Sequence, residues 1–202
     1  MFRHITAPIL VAALAASWSF VDARLMVPSV VNPATAAVAD RRRLLGIGCN
    51  ECIALCEQVH YKTLCTTLTT LPGVTTPLQL LDTALHITVT KAAMAEMKLD
   101  HAIRWSGGQG GGAGLASSLQ SCRDSYASLV DSLESCRNTL KDGGSSADLM
   151  TELSAAGTFA TDCEDIFEER PGLKSPIPGA MRHVSRLVSN CLDLAATIKQ
   201  QP

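Results

Sequence analysis

Aromatic side chains are scarce in this chain of 202 residues, where Phe, Trp and Tyr together make up 4%. Three of them, Phe2, Trp18 and Phe20, lie within the first twenty residues. So few aromatic residues disfavour a stacking platform for bases or sugars. Excess basic charge is also missing, because 17 Lys and Arg face 19 Asp and Glu. The net charge of −2 therefore argues against a nucleic-acid partner.

The chain also lacks the short motifs of common active sites. It contains no Gly-Lys-Ser/Thr phosphate loop, no Gly-x-Ser-x-Gly and no His-Glu-x-x-His. The glycine-rich stretch at 108–113 fits a dinucleotide-binding loop only nominally, since no predicted strand precedes it. The histidines His60, His86, His101 and His183 show neither triad nor metal-ligand spacing. We therefore predict that the protein is not an enzyme and has no cofactor and no resident metal.

The N-terminus has the features of a secretory signal. Residues 5–20 are apolar, and Val21 and Ala23 are small residues at the positions that precede a cleavage site. The run is shorter than the roughly 20 residues of a membrane-spanning helix, which is the competing interpretation. We predict a signal peptide at 1–23, followed by a flexible arm at 24–48. Three arginines at 41–43 form either a solvated run, a site for an acidic polymer or a processing site.

The chain contains eight cysteines, which a secreted protein more often uses in disulfides than as metal ligands. They are Cys49, Cys52, Cys56, Cys65, Cys122, Cys136, Cys163 and Cys191. Spacing alone does not determine their pairing. A zinc cluster of Cys49, Cys52, Cys56 and His60 is the alternative interpretation of the first group.

Apolar residues recur every three or four positions through most of the remaining sequence, which predicts amphipathic helices and no strand. Four long segments show the pattern, at 78–103, 115–140, 149–167 and 184–198, separated by glycine- or proline-rich breakers at 107–114, 142–145 and 171–179. Two shorter helical pieces at 49–70 bend around His60 and Tyr61. The predicted fold is all-α: an up-down-up-down four-helix bundle at 76–199 preceded by a short N-terminal α-hairpin.

The bundle places two cysteines at one height. Cys122 lies 21 residues before the turn at Gly143, and Cys163 lies 20 residues after it. Both are on core positions of antiparallel helices, so their side chains can meet within disulfide range. Cys136 has no such partner, because Cys191 is predicted several turns away along the last helix. We expect Cys136 and Cys191 to be buried thiols.

Four short motifs together resemble a known family. Two cysteines nine apart enclose a tyrosine (Cys56, Tyr61 and Cys65), and Tyr126 follows Cys122 by four residues. Further on stand Cys163 with Asp165 and Phe167, and then Ser189 with Asn190 in the last helix. The order and spacing of these residues across 49–199 resemble the plant invertase and pectin methylesterase inhibitors.

The resemblance implies two disulfides, Cys56–Cys65 and Cys122–Cys163, the second in agreement with the height argument. Cys49 and Cys52 remain open: they pair with each other or exchange with the first implied pair. Invertase inhibitors of this family often carry Pro-Lys-Phe between the second and third bundle helices, and the turn at 141–146 lacks it. Residues 147–156 look more like the pectin methylesterase branch. That branch is favoured over an acid invertase inhibitor and over a non-inhibitory secreted helical module.

The resemblance further implies a one-to-one complex in which the bundle covers the substrate cleft of its target. The second and third bundle helices are expected at the interface. Predicted partner-binding residues on the third helix are Glu152, Thr158, Thr161, Asp162 and Asp165, with Glu169 on the same face. An acidic face suits a basic methylesterase and disfavours direct binding of the polyanion pectin, although a plain solvated face is the competing interpretation. The expected location is the apoplast or cell wall.

Overall fold

The computed structural model describes residues 49–108, 113–170 and 172–199. These residues form six helices and no strand: α1 (Asn50–Cys56), α2 (Lys62–Thr69), α3 (Pro77–Gly108), α4 (Ala113–Lys141), α5 (Ser146–Glu168) and α6 (Pro178–Lys199). The all-α prediction is confirmed. The predicted signal peptide at 1–23 and the arm at 24–48 lie outside the described residues. No helix in the described ranges has the length and apolar character needed to cross a membrane.

Helices α3 to α6 form the predicted four-helix bundle. Each packs on the next along the chain, and α6 returns to pack on α3, which closes the ring. The predicted stripes supply the core, where leucines of every long helix are almost fully buried. They include Leu81, Leu85, Leu99, Leu119, Leu129, Leu133, Leu153 and Leu194. Burial of this apolar surface is the main stabilising contribution to the bundle.

Local signals set where the long helices begin and end. The hydroxyl of Thr76 accepts a hydrogen bond from the Gln79 amide, and Pro77 takes the first helical position of α3. Ser145 caps α5 in the same way by accepting from the Asp148 amide. Between α4 and α5, Gly143 adopts a positive φ of 69° that residues with a Cβ rarely adopt. This left-handed residue ends α4 sharply and directs α5 back along it.

The start of α6 differs from the prediction. The proline-rich stretch at 171–179 was assigned to a connection, but α6 begins at Pro178. A proline at the first helical position costs no hydrogen bond, since that amide has no partner within the helix. The last proline of the stretch therefore initiates the helix instead of interrupting it.

Helices α1 and α2 form the short hairpin, which α6 holds through its side chains. The buried amide of Asn190 accepts from the Tyr61 backbone N–H (3.1 Å) and donates to the Tyr61 carbonyl (3.0 Å). Asp193 accepts from the His60 amide at 2.8 Å, and the guanidinium of Arg186 lies 5.4 Å from the centre of the Tyr61 ring. The Ser-Asn motif of the last helix thus contributes an asparagine that satisfies the backbone of the hairpin turn.

The structure contains three disulfides: Cys49–Cys52, Cys56–Cys65 and Cys122–Cys163. The last two are the pairs that the family resemblance implies. The first resolves the open question about Cys49 and Cys52 in favour of their mutual bond. Because the three cysteines of the alternative zinc cluster are all oxidised, they offer no thiolate to a metal.

Cys136 and Cys191 are free and buried, as expected. Burial raises the pKa of the Cys136 thiol to about 12, with smaller contributions from Glu152 and Cys191. Burial likewise raises the pKa of Cys191 to about 12, opposed by a hydrogen bond with Thr88. The separation of several turns between these two thiols stays a prediction.

Candidate functional site

The outer face of α5 consists of small side chains. Thr151, Ser154, Thr158 and Thr161 are exposed, and their spacing of three or four residues places them along one side of the helix. Each hydroxyl donates to a backbone carbonyl of the preceding turn: Thr151 to Ala147, Ser154 to Met150, Thr158 to Ser154 and Thr161 to Thr158. The side chains of this face are therefore short, and hydrogen bonds to the backbone of α5 hold them in place.

The opposite side of α5 explains why this face points outward. Leu149, Leu153, Ala156, Ala160, Cys163 and Phe167 are buried in the core. They recur at three or four residues, so they occupy one stripe and leave the serines and threonines on the solvent side. Thr158 and Thr161 are among the residues predicted on this face, whereas Thr151 and Ser154 are not, although the same spacing includes all four.

Helix α5 carries charge of one sign. It contains six carboxylates, at Asp148, Glu152, Asp162, Glu164, Asp165 and Glu168, and no Lys, Arg or His. Among the described residues, the ion pairs involve only carboxylates outside α5. Four of the six acids lie in the last third of the helix, where the helix dipole disfavours negative charge. These acids are therefore not explained by a contribution to helix stability.

Glu152 is not part of the exposed face, contrary to the sequence-based expectation. Its side chain is half-buried and faces α4, where Oε1 accepts from the hydroxyls of Ser135 (2.7 Å) and Thr139 (3.1 Å). The hydroxyl of Ser132 donates to the Glu152 backbone carbonyl at 3.3 Å. Glu152 therefore joins the first turns of α5 to the last turns of α4.

Asp162 is also half-buried, and its carboxylate accepts from the Ser125 hydroxyl on α4 at 3.4 Å. The expectation of full exposure is wrong for this residue as well. Asp165, Thr158, Thr161 and Glu169 are exposed as expected. Two of the six predicted residues, Glu152 and Asp162, thus lie in the seam between α4 and α5. The other four lie on the surface.

Helices α4 and α5 are fastened together at three levels. Near the turn, Glu152 bridges the two helices through hydrogen bonds. Farther along, the Cys122–Cys163 disulfide links them covalently. At the far end, the Arg170 guanidinium donates to the Gly114 carbonyl (3.2 Å) and to the Ser118 hydroxyl (2.7 Å) at the start of α4. The outer face of α5 is therefore held in a fixed position relative to α4.

Tyr126 of the Cys-Tyr motif lies inside this pair of helices and is completely buried. Burial, reinforced by the nearby Glu164 carboxylate, raises the pKa of Tyr126 well above its ordinary value. The phenol consequently remains neutral and acts as a large packing residue in the core. The motif residues Tyr126 and Asn190 are thus placed for structure, while the exposed residues of α5 are available for contact.

Comparison with protein families gives one match: the family described as plant invertase/pectin methylesterase inhibitor, whose model covers residues 51–194. A mutant form of a pectin methylesterase inhibitor from Arabidopsis is similar in structure, with a TM-score of 0.61 and 22% identity. That alignment covers 73% of this chain and 95% of the other. A pectin methylesterase inhibitor from Arabidopsis thaliana aligns with a TM-score of 0.53 and 21% identity, over 75% of this chain and 97% of the other. No curated protein sequence matches the chain.

Proposed function

The chain belongs to the plant invertase/pectin methylesterase inhibitor family, and we propose that within this family it inhibits a pectin methylesterase. Proteins of this family are inhibitors and not enzymes. The fold is one that two pectin methylesterase inhibitors share. The turn between α4 and α5, residues 142–145, also lacks the Pro-Lys-Phe that is common among invertase inhibitors.

The observation that carries this proposal is the outer face of α5, which is rigid, small in its side chains and negatively charged. A basic protein surface complements such a face, and complementary charge accelerates association and fixes orientation. The acids near the C-terminal end of α5 are unfavourable for the helix itself. A partner that supplies positive charge would compensate for this cost. Since pectin is itself a polyanion, the same face disfavours the polysaccharide and favours the enzyme.

The small side chains of α5 favour docking for an entropic reason. Ordering a long side chain at an interface costs roughly 0.5–1.5 kcal/mol, and the tied hydroxyls of Thr158 and its neighbours have little such freedom to lose. The neighbouring helix α4 holds α5 in position through the disulfide and Glu152. The face therefore meets a partner without rearrangement.

We propose that inhibition occurs by steric occlusion. One molecule of the bundle covers the substrate cleft of one enzyme molecule, with α5 and the adjacent α4 at the interface. Thr158, Thr161 and Asp165 contact the enzyme, whereas Glu152 and Asp162 maintain the seam behind them. No covalent step is required, because a polymeric substrate cannot reach a covered cleft.

The proposal includes the route to the target. A signal peptide at 1–23 directs the chain to the secretory pathway, and residues 24–48 precede the inhibitor domain as an arm. The three disulfides suit the oxidising conditions outside the cell. The protein then meets its target in the apoplast or cell wall.

The proposal is tested by titrating the oxidised protein against a plant pectin methylesterase and, in parallel, against a cell-wall acid invertase at mildly acidic pH. We expect esterase activity to fall stoichiometrically to its minimum at one inhibitor per enzyme, with invertase activity unchanged. Loss of invertase activity alone would assign the chain to the other branch. No loss against either enzyme, with a helical circular dichroism spectrum, would contradict the inhibitory function and leave the fold unaffected.

A further inference from the structure

A groove runs beside the C-terminal half of α3, on the helix diagonally opposite α5 in the bundle. It consists of two adjoining clefts of about 470 and about 440 Å³, which share His101, Ala102 and Pro176. The wall facing α3 is the segment that leads into α6. Clefts of this size are in the range that binds small molecules. The groove is separate from the face to which the proposed function assigns the enzyme.

One of the two clefts has an apolar floor with an exposed aromatic ring. Leu115 and Leu119 of α4 form part of its lining, together with Trp105. Trp105 is 64% exposed, although tryptophan is normally buried or paired. His101 lies one turn before it on the same helix, and Pro176 lies on the opposite wall. The aromatic rings of His101 and Trp105 thus border the cleft on the side of α3, which favours a flat apolar group packed against them.

The charged residues that line the groove are two lysines. Lys98 lines one cleft and Lys174 the other, with His101 between them. Neither cleft has a carboxylate in its lining. Within the described part of the chain, neither lysine takes part in an ion pair. An anionic ligand would therefore find complementary charge at both ends of an apolar floor.

We propose that this groove binds a small aromatic carboxylate. Its ring packs against Trp105 and Leu119, and its carboxylate pairs with the ammonium of Lys174. Lys98 extends the positive side into the adjoining cleft, with His101 between the two lysines. An aromatic ring is favoured over an alkyl chain because it stacks on an indole, and a carboxylate is favoured over a neutral group because of the unpaired lysines. Binding here leaves the outer face of α5 free.

The test uses the full chain labelled with ¹⁵N and follows the indole N–H resonance of Trp105, identified by its loss in Trp105→Phe. The probe is 3-phenylpropanoate, compared with 3-phenylpropan-1-ol, which lacks the charge, and hexanoate, which lacks the ring. We expect a saturable shift with 3-phenylpropanoate and affinities about fivefold weaker for the two other compounds. Equal affinity for all three, or no saturable shift with the first, would overturn the proposal.

Three variants locate the site. Ala102→Met places a longer side chain at the junction of the two clefts and is expected to abolish the saturable shift. Lys174→Ala is expected to weaken 3-phenylpropanoate about threefold, with no effect on the neutral alcohol. Lys91→Ala removes an exposed lysine of α3 that lies outside the groove, and it is the matched control. Unchanged affinity in both Ala102→Met and Lys174→Ala, with native circular dichroism spectra, would contradict the assignment.

Discussion

Helices α5 and α3 bury equivalent apolar stripes but present opposite outer surfaces. On α5 the exposed residues are alanines, a serine, threonines and acids, and the helix has no cation. On α3 four large apolar side chains, Leu78, Met94, Met97 and Trp105, are exposed together with Lys91 and Lys98. Both surfaces are compatible with the same core, because only the inward stripe is required for folding.

The attachment of the two helices differs as well. Helix α5 is joined to α4 by a disulfide and by the hydrogen bonds of Glu152. Helix α3 is held mainly by apolar packing, with one partly exposed ion pair between Asp82 and Arg137 of α4. The first arrangement fixes the outer face of α5, to which the proposed function assigns the contact with the enzyme.

The largest effect is expected from removing the covalent part of this difference. The double substitution Cys122→Ser with Cys163→Ser should lower the free energy of unfolding by about 4 kcal/mol, since the disulfide closes a long loop. Chemical denaturation without reductant measures the loss. The matched control is Cys136→Ala, which removes a buried sulfur without cutting a bond. A loss in the double variant no larger than in the control would remove the distinction between α5 and α3.

A second prediction concerns the two surfaces directly. Thr158→Arg places a long cation in the middle of the α5 face and should weaken inhibition of the esterase about 100-fold or more. Met97→Arg makes a comparable change on the exposed side of α3 and should leave inhibition unchanged. Inhibition constants from activity titrations decide between them. If Met97→Arg were the more damaging variant, the docking surface would lie on α3.

A third prediction sharpens the role of Glu152. Glu152→Ala removes the acceptor of the Ser135 and Thr139 hydroxyls and should cost about 1–2 kcal/mol of stability. Glu96→Ala, on α3, should change stability by less than about 0.5 kcal/mol. Thermal or chemical unfolding measures both. Because Glu152 lies in the seam, its variant should inhibit the esterase as well as the parent once folded, and a large loss of inhibition by the folded variant would place Glu152 at the interface.

The smallest effect is expected from a single surface charge. Asp165→Asn should reduce the association rate with the esterase about twofold to threefold and make that rate less sensitive to salt. Asp100→Asn makes the same charge change on α3 and serves as the control. Stopped-flow association at two ionic strengths measures both rates. An identical salt dependence for Asp165→Asn and the parent protein would show that this charge does not steer docking.

Much of the bundle was predictable because its signals are local. The spacing of the leucines, the Thr76-Pro77 start and the turn at Gly143 each depend on a few consecutive residues. Pro178 is also a local signal, because proline is favoured at the first position of a helix. The sequence prediction places it in the connection and not in the first turn of α6.

The candidate site was predicted only in part. The period of α5 shows which residues lie opposite the core, and Thr158, Thr161 and Asp165 are exposed accordingly. It does not show which polar residues on the flanks meet a neighbouring helix. Glu152 and Asp162 look like surface acids in the sequence. The serine and threonine hydroxyls that donate hydrogen bonds to their carboxylates are on α4, between 13 and 37 positions away.

The six helical segments, the apolar stripes that bury them and the motifs that resemble the inhibitor family all follow from the amino-acid sequence alone. These depend on helix periodicity and on residue spacing, which act over a few turns. The hydrogen bonds of Asn190 to the backbone of Tyr61, and the place of Glu152 between α4 and α5, are visible only in the folded protein. Folding also brings Trp105 and Lys174 to one groove. These contacts join residues far apart in the chain, so they depend on how the helices are aligned against one another and not on the pattern within any one of them.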